Sequence, residues 1–163
     1  MPIKIVLLLL LLLSSSFTLN NKSAYLIFSD SGKQVTYEKL LKGCQKADVV
    51  LFGELHNNPI AHWLQLELTK DLQGLSQKQL VLGAEMFEAD NQLLLDEYLG
   101  AVISEKNFEK EARLWPNYKT DYKPLLVFAK DKQLPFIATN IPRRYASKVF
   151  KEGIESLDDL TDE

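Results

Sequence analysis

The chain has 163 residues, a length that makes one domain or part of a larger one and excludes a large multidomain assembly. Hydrophobic residues at 46% and charged residues at 25% are ordinary globular proportions, and they exclude a disordered or wholly membrane-embedded chain. With 19 Lys and Arg against 22 Asp and Glu, the net charge of −3 withholds the basic surface that displaces counterions from nucleic acid, so no nucleic-acid partner is expected.

At the N-terminus, Lys4 precedes the unbroken apolar run Ile5 to Leu13, which the small residues Ser14, Ser15 and Ser16 follow. A basic start, a short apolar core and small residues predict a secretory signal peptide over residues 1–18, since a bilayer span needs about 20 apolar residues. The expected location is therefore exported, periplasmic or cell-surface. No cysteine occurs before Cys44, so no lipobox is encoded, and a single cysteine forms no intrachain disulfide. Cys44 itself reads as a small core residue near a helix end. Asn21-Lys-Ser23 matches the short acceptor pattern for N-glycosylation.

Tyr25 to Phe28 and Gln34 to Thr36 flank the turn cluster Ser-Asp-Ser-Gly and predict a β-hairpin. A short helix over Tyr37 to Gly43 follows. Asp48-Val-Val-Leu-Phe52 is then apolar without alternation, as in a central parallel strand buried on both faces. Pro59 to Leu72 carries a helical apolar stripe, with proline suited to the first turn. Leu80 to Ala84 reads as the next strand and Asp90 to Leu99 as the next helix, with Asp90 as its cap. Ser104 to Leu114 and Lys123 to Gln133 read as helices around the loop Trp115 to Asp121, Pro135 to Thr139 as a third strand, and Pro142 to Phe150 as a helix closed by Gly153. The alternation predicts an α/β fold: a mostly parallel sheet flanked by helices, preceded by a short β-hairpin.

Each strand ends on a polar group. Glu54 and His56 follow the first, Glu85 the second and Asn140 the third. In an open parallel sheet these ends share one edge, where ligand sites form, so the four residues are expected to converge on one cleft. A carboxylate two residues from an imidazole, with a second carboxylate on the next strand, suits either a divalent metal or acid/base work, although single residues of this kind often only cap the following helix. A second set is aromatic and basic: Trp115, Tyr118, Tyr122, Arg143, Arg144 and Tyr145. Arginines at a helix start meet carboxylates and propionates, and tyrosinate ligates haem iron, while the same aromatics at near-helical spacing also suit core packing. His62, beside Trp63, reads as a surface or packing histidine.

Four ordered motifs carry a resemblance: Val50-Leu-Phe-Gly-Glu-Leu-His-Asn-Asn58, Gly83-Ala-Glu-Met-Phe87, Tyr122-Lys-Pro-Leu-Leu with Phe128-Ala129, and Ala138-Thr-Asn-Ile-Pro-Arg-Arg-Tyr145. Together they resemble the ChaN-like haem-binding uptake family of the Tiki superfamily, over approximately Asp48 to Lys151. The resemblance implies an α/β fold and bacterial surface or periplasmic proteins that bind haem in iron acquisition. It implies a haem-binding domain over residues 19–163, the N-terminal portion of a longer family pattern whose C-terminal third is expected to be absent. Residue by residue, it puts Glu54 and His56 in the Gly-Glu-x-His positions, Glu85 as second carboxylate, and Asn140 and Arg143 in Asn-x-Pro-Arg.

Two functions follow. In the first, the chain binds haem at the sheet edge, with Tyr122 or Tyr145 on the iron, His56 as the alternative ligand, and Arg143 and Arg144 on the propionates. Tyr122 ranks slightly first through its Tyr-x-Pro motif. A second copy of the chain and an outer-membrane haem receptor are the candidate partners. In the second, after distant relatives such as Tiki proteases and erythromycin esterases, Glu54, His56 and Glu85 hold a divalent metal or activate water for hydrolysis.

Overall fold

The computed structural model describes residues 22–75 and 79–160, in two compact units that divide between Val35 and Thr36. The predicted leader and Asn21 lie outside the described residues. In the first unit β1 (Ile27–Phe28) pairs antiparallel with β2 (Gln34–Val35), as the turn cluster predicts.

In the second unit α1 (Tyr37–Cys44) starts where the Thr36 hydroxyl accepts the Lys39 N–H. Its Tyr37 hydroxyl donates to Asp71 of α2 (Pro59–Leu75) at 2.8 Å. α2 begins at the expected proline, and the Asn58 side chain caps it by accepting the N–H groups of Ile60 and Ala61 at 3.0 and 3.2 Å. Then come β3 (Leu82–Glu88), a single 3₁₀ turn (Ala89–Asn91), α3 (Gln92–Leu99) and α4 (Glu105–Glu111), which Ser104 caps. A wide turn over Tyr118–Tyr122 leads into α5 (Lys123–Asp131), and β4 (Phe136–Asn140), α6 (Arg143–Glu152) and a last 3₁₀ segment (Ile154–Asp159) follow. α6 closes at Gly153, whose φ of 88° is a conformation that glycine adopts without a Cβ penalty.

β3 and β4 are parallel, in the register Leu82↔Phe136, Gly83↔Ile137 and Ala84↔Ala138. The ladder then breaks and resumes at Glu88↔Asn140, so Glu85, Met86 and Phe87 face Thr139 alone. That bulge re-aims the carboxyl end of β3. Gly83 is required by close approach, because a Cβ there would lie 2.9 Å from the Thr139 methyl. The far edge of β4 is closed by a side chain: Gln92 donates to the Phe136 carbonyl at 2.9 Å and accepts the Ala138 N–H at 2.7 Å. Its amide occupies the place of a neighbouring strand's peptide.

The core lies on one face of this pair, where Met86, Phe87, Phe136 and Ala138 meet Leu95, Tyr98, Phe108, Tyr118 and Leu126 from the helices and the wide turn. Phe87 stands edge-on to Phe136 at 5.5 Å, and Tyr98 stacks on Phe108 at 4.7 Å. The opposite face, with Glu85, Ile137 and Thr139, is exposed.

Two expectations need correction. Asp48 to Phe52 forms no strand: it joins neither ladder among the described residues, and Val49 and Leu51 are exposed. A continuous apolar run suits a strand that is paired within a sheet and covered on both faces, and among the described residues this run has no paired neighbour. Nor is Asp90 a helix cap. It sits in the 3₁₀ turn, with its carboxylate on Arg113 and Arg144.

Candidate functional site

Polar side chains from α2, the wide turn and His56 converge on Glu54, whose side chain is almost buried. Its Oε1 accepts the Tyr122 hydroxyl at 2.5 Å and lies 3.3 Å from His56 Nδ1. Its Oε2 accepts from Gln65 Nε2 at 2.9 Å and lies 2.9 Å from His62 Nδ1. The His62 approach lacks hydrogen-bond alignment, which leaves a buried ring nitrogen beside the carboxylate without a directed partner. A carboxylate is acceptor-only, so a ring of donors is what makes its burial tolerable.

The backbone of the segment is held in the same way. His62 Nε2 donates to the His56 carbonyl at 3.0 Å, and Asn117 Nδ2 donates to the same oxygen at 2.6 Å and to Asp121 Oδ2 at 2.7 Å. A carbonyl only accepts, so His62 carries a hydrogen on Nε2. Aromatic rings complete the wall: His56 stands edge-on to Trp115 at 4.6 Å, His62 to Tyr122 at 4.6 Å, and Trp115 to Tyr122 at 5.6 Å. The His56 side chain nevertheless remains 58% exposed. The site therefore presents an outward imidazole, backed by a carboxylate, on a rigid polar base.

Tyr122 belongs to that base, because its hydroxyl is turned to Glu54 and the residue is buried. Burial, the hydrogen bond to Glu54 and the charges of Glu54, Asp121 and Glu85 push its phenol well above the ordinary tyrosine range. Glu85 is thus near enough to act on Tyr122 by charge. It is exposed and lies within β3, which runs on to Glu88, whereas the sequence pattern placed it just after the strand.

The remaining predicted residues form a second cluster. Asn140 ends β4 opposite Glu88. Glu88 Oε2 accepts the Arg143 N–H at 2.8 Å and the Arg113 Nε–H at 3.2 Å. Asp90 bridges Arg113 and Arg144, and although burial pushes its carboxyl up, the two guanidiniums outweigh this and hold it below the usual carboxylate range. Arg143 and Arg144 are exposed, and the Arg144 guanidinium lies 4.7 Å from the ring centre of the half-buried Tyr145.

Sequence reasoning missed His62, Gln65, Asn117 and Asp121 at the first cluster and Arg113 at the second. The one available signal was the spacing of His62 and Gln65, three apart on the helix that follows Glu-x-His. Among the described residues, no three His, Cys, Asp or Glu side chains are placed to share a metal ion, and no helix is long and apolar enough to cross a membrane.

Residues 40–163 match the model of a family described as haem-binding uptake, Tiki superfamily, ChaN. Among solved structures, the chain is similar to one described as cofacial heme binding to ChaN of Campylobacter jejuni, with 20% identity and a TM-score of 0.67. The match covers 81% of this chain and 54% of that one, so the chain spans about half the length of that relative. At this identity the likeness speaks for the fold. No curated protein matches the chain.

Proposed function

The chain belongs to the ChaN family of haem-binding uptake proteins in the Tiki superfamily, and from that premise we propose that it binds haem as cargo in bacterial iron uptake, after export from the cytoplasm. The observation that carries the reading is the outward His56 imidazole, braced behind by Glu54 and at its edge by Trp115. The donor set fits the group. Haem offers an iron that takes nitrogen or phenolate ligands, a flat apolar ring and two carboxylates. Imidazole, phenol and guanidinium groups all occur in the two clusters.

Two candidate donors are neither buried nor bound to Glu54 through a short hydroxyl contact, His56 and Tyr145, and the iron is placed on one of them. His56 has the carboxylate beside its other ring nitrogen that commonly orients a ligating histidine. Tyr145 has the Arg144 cation beside its ring, which complements a metal-bound phenolate. Tyr122 acts instead as the brace of Glu54, and the exposed Arg143 and Arg144 meet the propionates.

Titration with haemin tests the proposal. A saturable Soret shift is expected, altered in form by His56→Ala or Tyr145→Phe. No saturable shift for the wild-type chain overturns haem binding, and an unchanged spectrum in both variants and in the double variant moves the ligand elsewhere. Export is tested separately, by sequencing the N-terminus of protein from the extracytoplasmic fraction, where an intact Met1 contradicts cleavage of the leader.

A further inference from the structure

We propose that His62 is the positioning residue of this site: from α2 it fixes the backbone of the Glu54 to His56 segment, and through that backbone the direction of the His56 side chain. The inference rests on the reading that His56 faces the haem.

Its premise is a shortage of backbone hydrogen bonds. A strand end is ordinarily held by its ladder, yet residues 48–56 join no ladder among the described residues. Apart from the Asn58 N–H on the Leu55 carbonyl at 2.8 Å, side chains hold the segment, and His62 makes one directed hydrogen bond to it and one close approach. Nε2 donates to the His56 carbonyl at 3.0 Å, and Nδ1 lies 2.9 Å from the Glu54 carboxylate. His62 therefore touches both functional residues of the Glu-x-His motif, one through its side chain and one through its backbone.

Burial assigns the role. His62 is 4% exposed, so it cannot meet a ligand in solution, whereas His56 is largely open. Whatever His62 contributes must pass through the residues it holds. Its own place is rigid, since it lies in the first turns of α2, where Asn58 caps the helix, and its ring stands against Tyr122 at 4.6 Å. Without His62, Asn117 is the one donor left to the His56 carbonyl among the described residues, and it approaches from the wide-turn side. The His56 carbonyl then loses its hold from the α2 side, while Glu54 keeps Tyr122 and Gln65.

Three substitutions separate position from packing. His62→Leu fills much of the space but has no donor, His62→Phe keeps a ring without a donor, and His62→Gln retains an N–H that reaches the carbonyl. His62→Leu is expected to weaken haem binding by about 10- to 100-fold, the usual effect of removing a residue that orients a ligand. His62→Gln is expected to recover most of that loss, and in a His56→Ala background His62→Leu is expected to have no further effect. If His62→Leu fails to fold, His62→Phe takes its place in each comparison.

The carbonyl carbon resonance of His56 in the haem-free protein provides an independent reading. It is expected to move in His62→Leu and to return in His62→Gln. An unmoved resonance, or equal losses of affinity in His62→Leu and His62→Gln, overturns the positioning role. If the wild-type chain binds no haem, the functional proposal fails, and the His56 resonance alone decides this one.

Discussion

Val49 to His56 and β4 are both short, apolar and followed by polar groups, but they are stabilised by different means. β4 has β3 on one side and the Gln92 amide on the other, and its Phe136 and Ala138 side chains are buried in the aromatic core. Among the described residues Val49 to Phe52 has no ladder on either side, Leu51 is 91% exposed, and side chains of α2 and the wide turn bond Glu54 and His56 just beyond it. The difference teaches that apolar composition does not by itself make a strand. Backbone partners do, and where a ladder is absent a segment can be held largely by buried polar side chains.

The largest expected effect comes from breaking the ordered side of this comparison. Phe108 is fully buried between Tyr98 and Phe87, so Phe108→Ala is expected to cost about 3–5 kcal/mol, the usual range for a large aromatic removed from a core. Leu51→Ala, on the other side, is expected to change stability by no more than about 0.5 kcal/mol. Urea unfolding of the two variants measures both. Equal losses would mean that Leu51 is covered in solution and that the contrast is false.

Gln92→Leu comes next. It removes the amide that stands in for a strand and leaves the Phe136 carbonyl and Ala138 N–H without that partner, at an expected cost of about 1–3 kcal/mol. It also opens an edge, so concentration-dependent association is expected in light scattering. A variant as stable and as monodisperse as wild type would show that the edge does not need closing.

How far the sequence announced this structure follows the same division. The hairpin, α2, α5, β4 and α6 all appear close to their predicted bounds, because a turn cluster, a proline at a first turn or a Gly153 stop acts locally. The strand at Asp48 to Phe52 was misread because periodicity reports which faces want burial and is silent about which neighbour supplies it. At the candidate site, Glu54 and His56 stood out by their place after an apolar run and Tyr122, which the resemblance ranked first, as part of the aromatic set. His62 did not, because a single histidine beside Trp63 reads as packing until the carbonyl it meets is known. Arg113 was hidden for a similar reason, since its partners Glu88 and Asp90 lie more than 20 residues away in the chain.

Alkaline pH sharpens the comparison from the site's side. Burial and the surrounding carboxylates raise the phenol of Tyr122, and burial with neighbouring charges raises that of Tyr118 in the core. A folded-state value above the unfolded one means stability that is complete below the unfolded tyrosine pKa of about 10 and is lost as pH rises beyond it. Stability measured by urea unfolding is expected to fall steadily above that pH, and less steeply in Tyr122→Phe, which removes one of the contributing phenols. A wild-type and a Tyr122→Phe profile of equal slope would contradict the burial of the Tyr122 hydroxyl against Glu54.

The smallest effect on stability, and the most informative about the site, is expected from Glu85→Gln. Glu85 projects from the bulged end of β3 on the exposed face, away from the core that holds the two strands together. Its loss should leave the unfolding midpoint within about 0.5 kcal/mol of wild type, as is usual for an exposed position. Its charge is the weakest of the influences that raise the Tyr122 phenol. Removing that charge should therefore lower the Tyr122 pKa, while burial and Glu54 keep it above the ordinary value. It should also change haemin affinity, because a negative charge near the strand ends repels propionates and attracts the ferric centre, and the sign of the change reports which of these lies closer to Glu85. Titration of the tyrosine absorbance and of the Soret shift in one variant gives both quantities. A large loss of stability with unchanged affinity would make Glu85 a structural residue of the bulge, and the cleft would then be built from Glu54 and His56 without it.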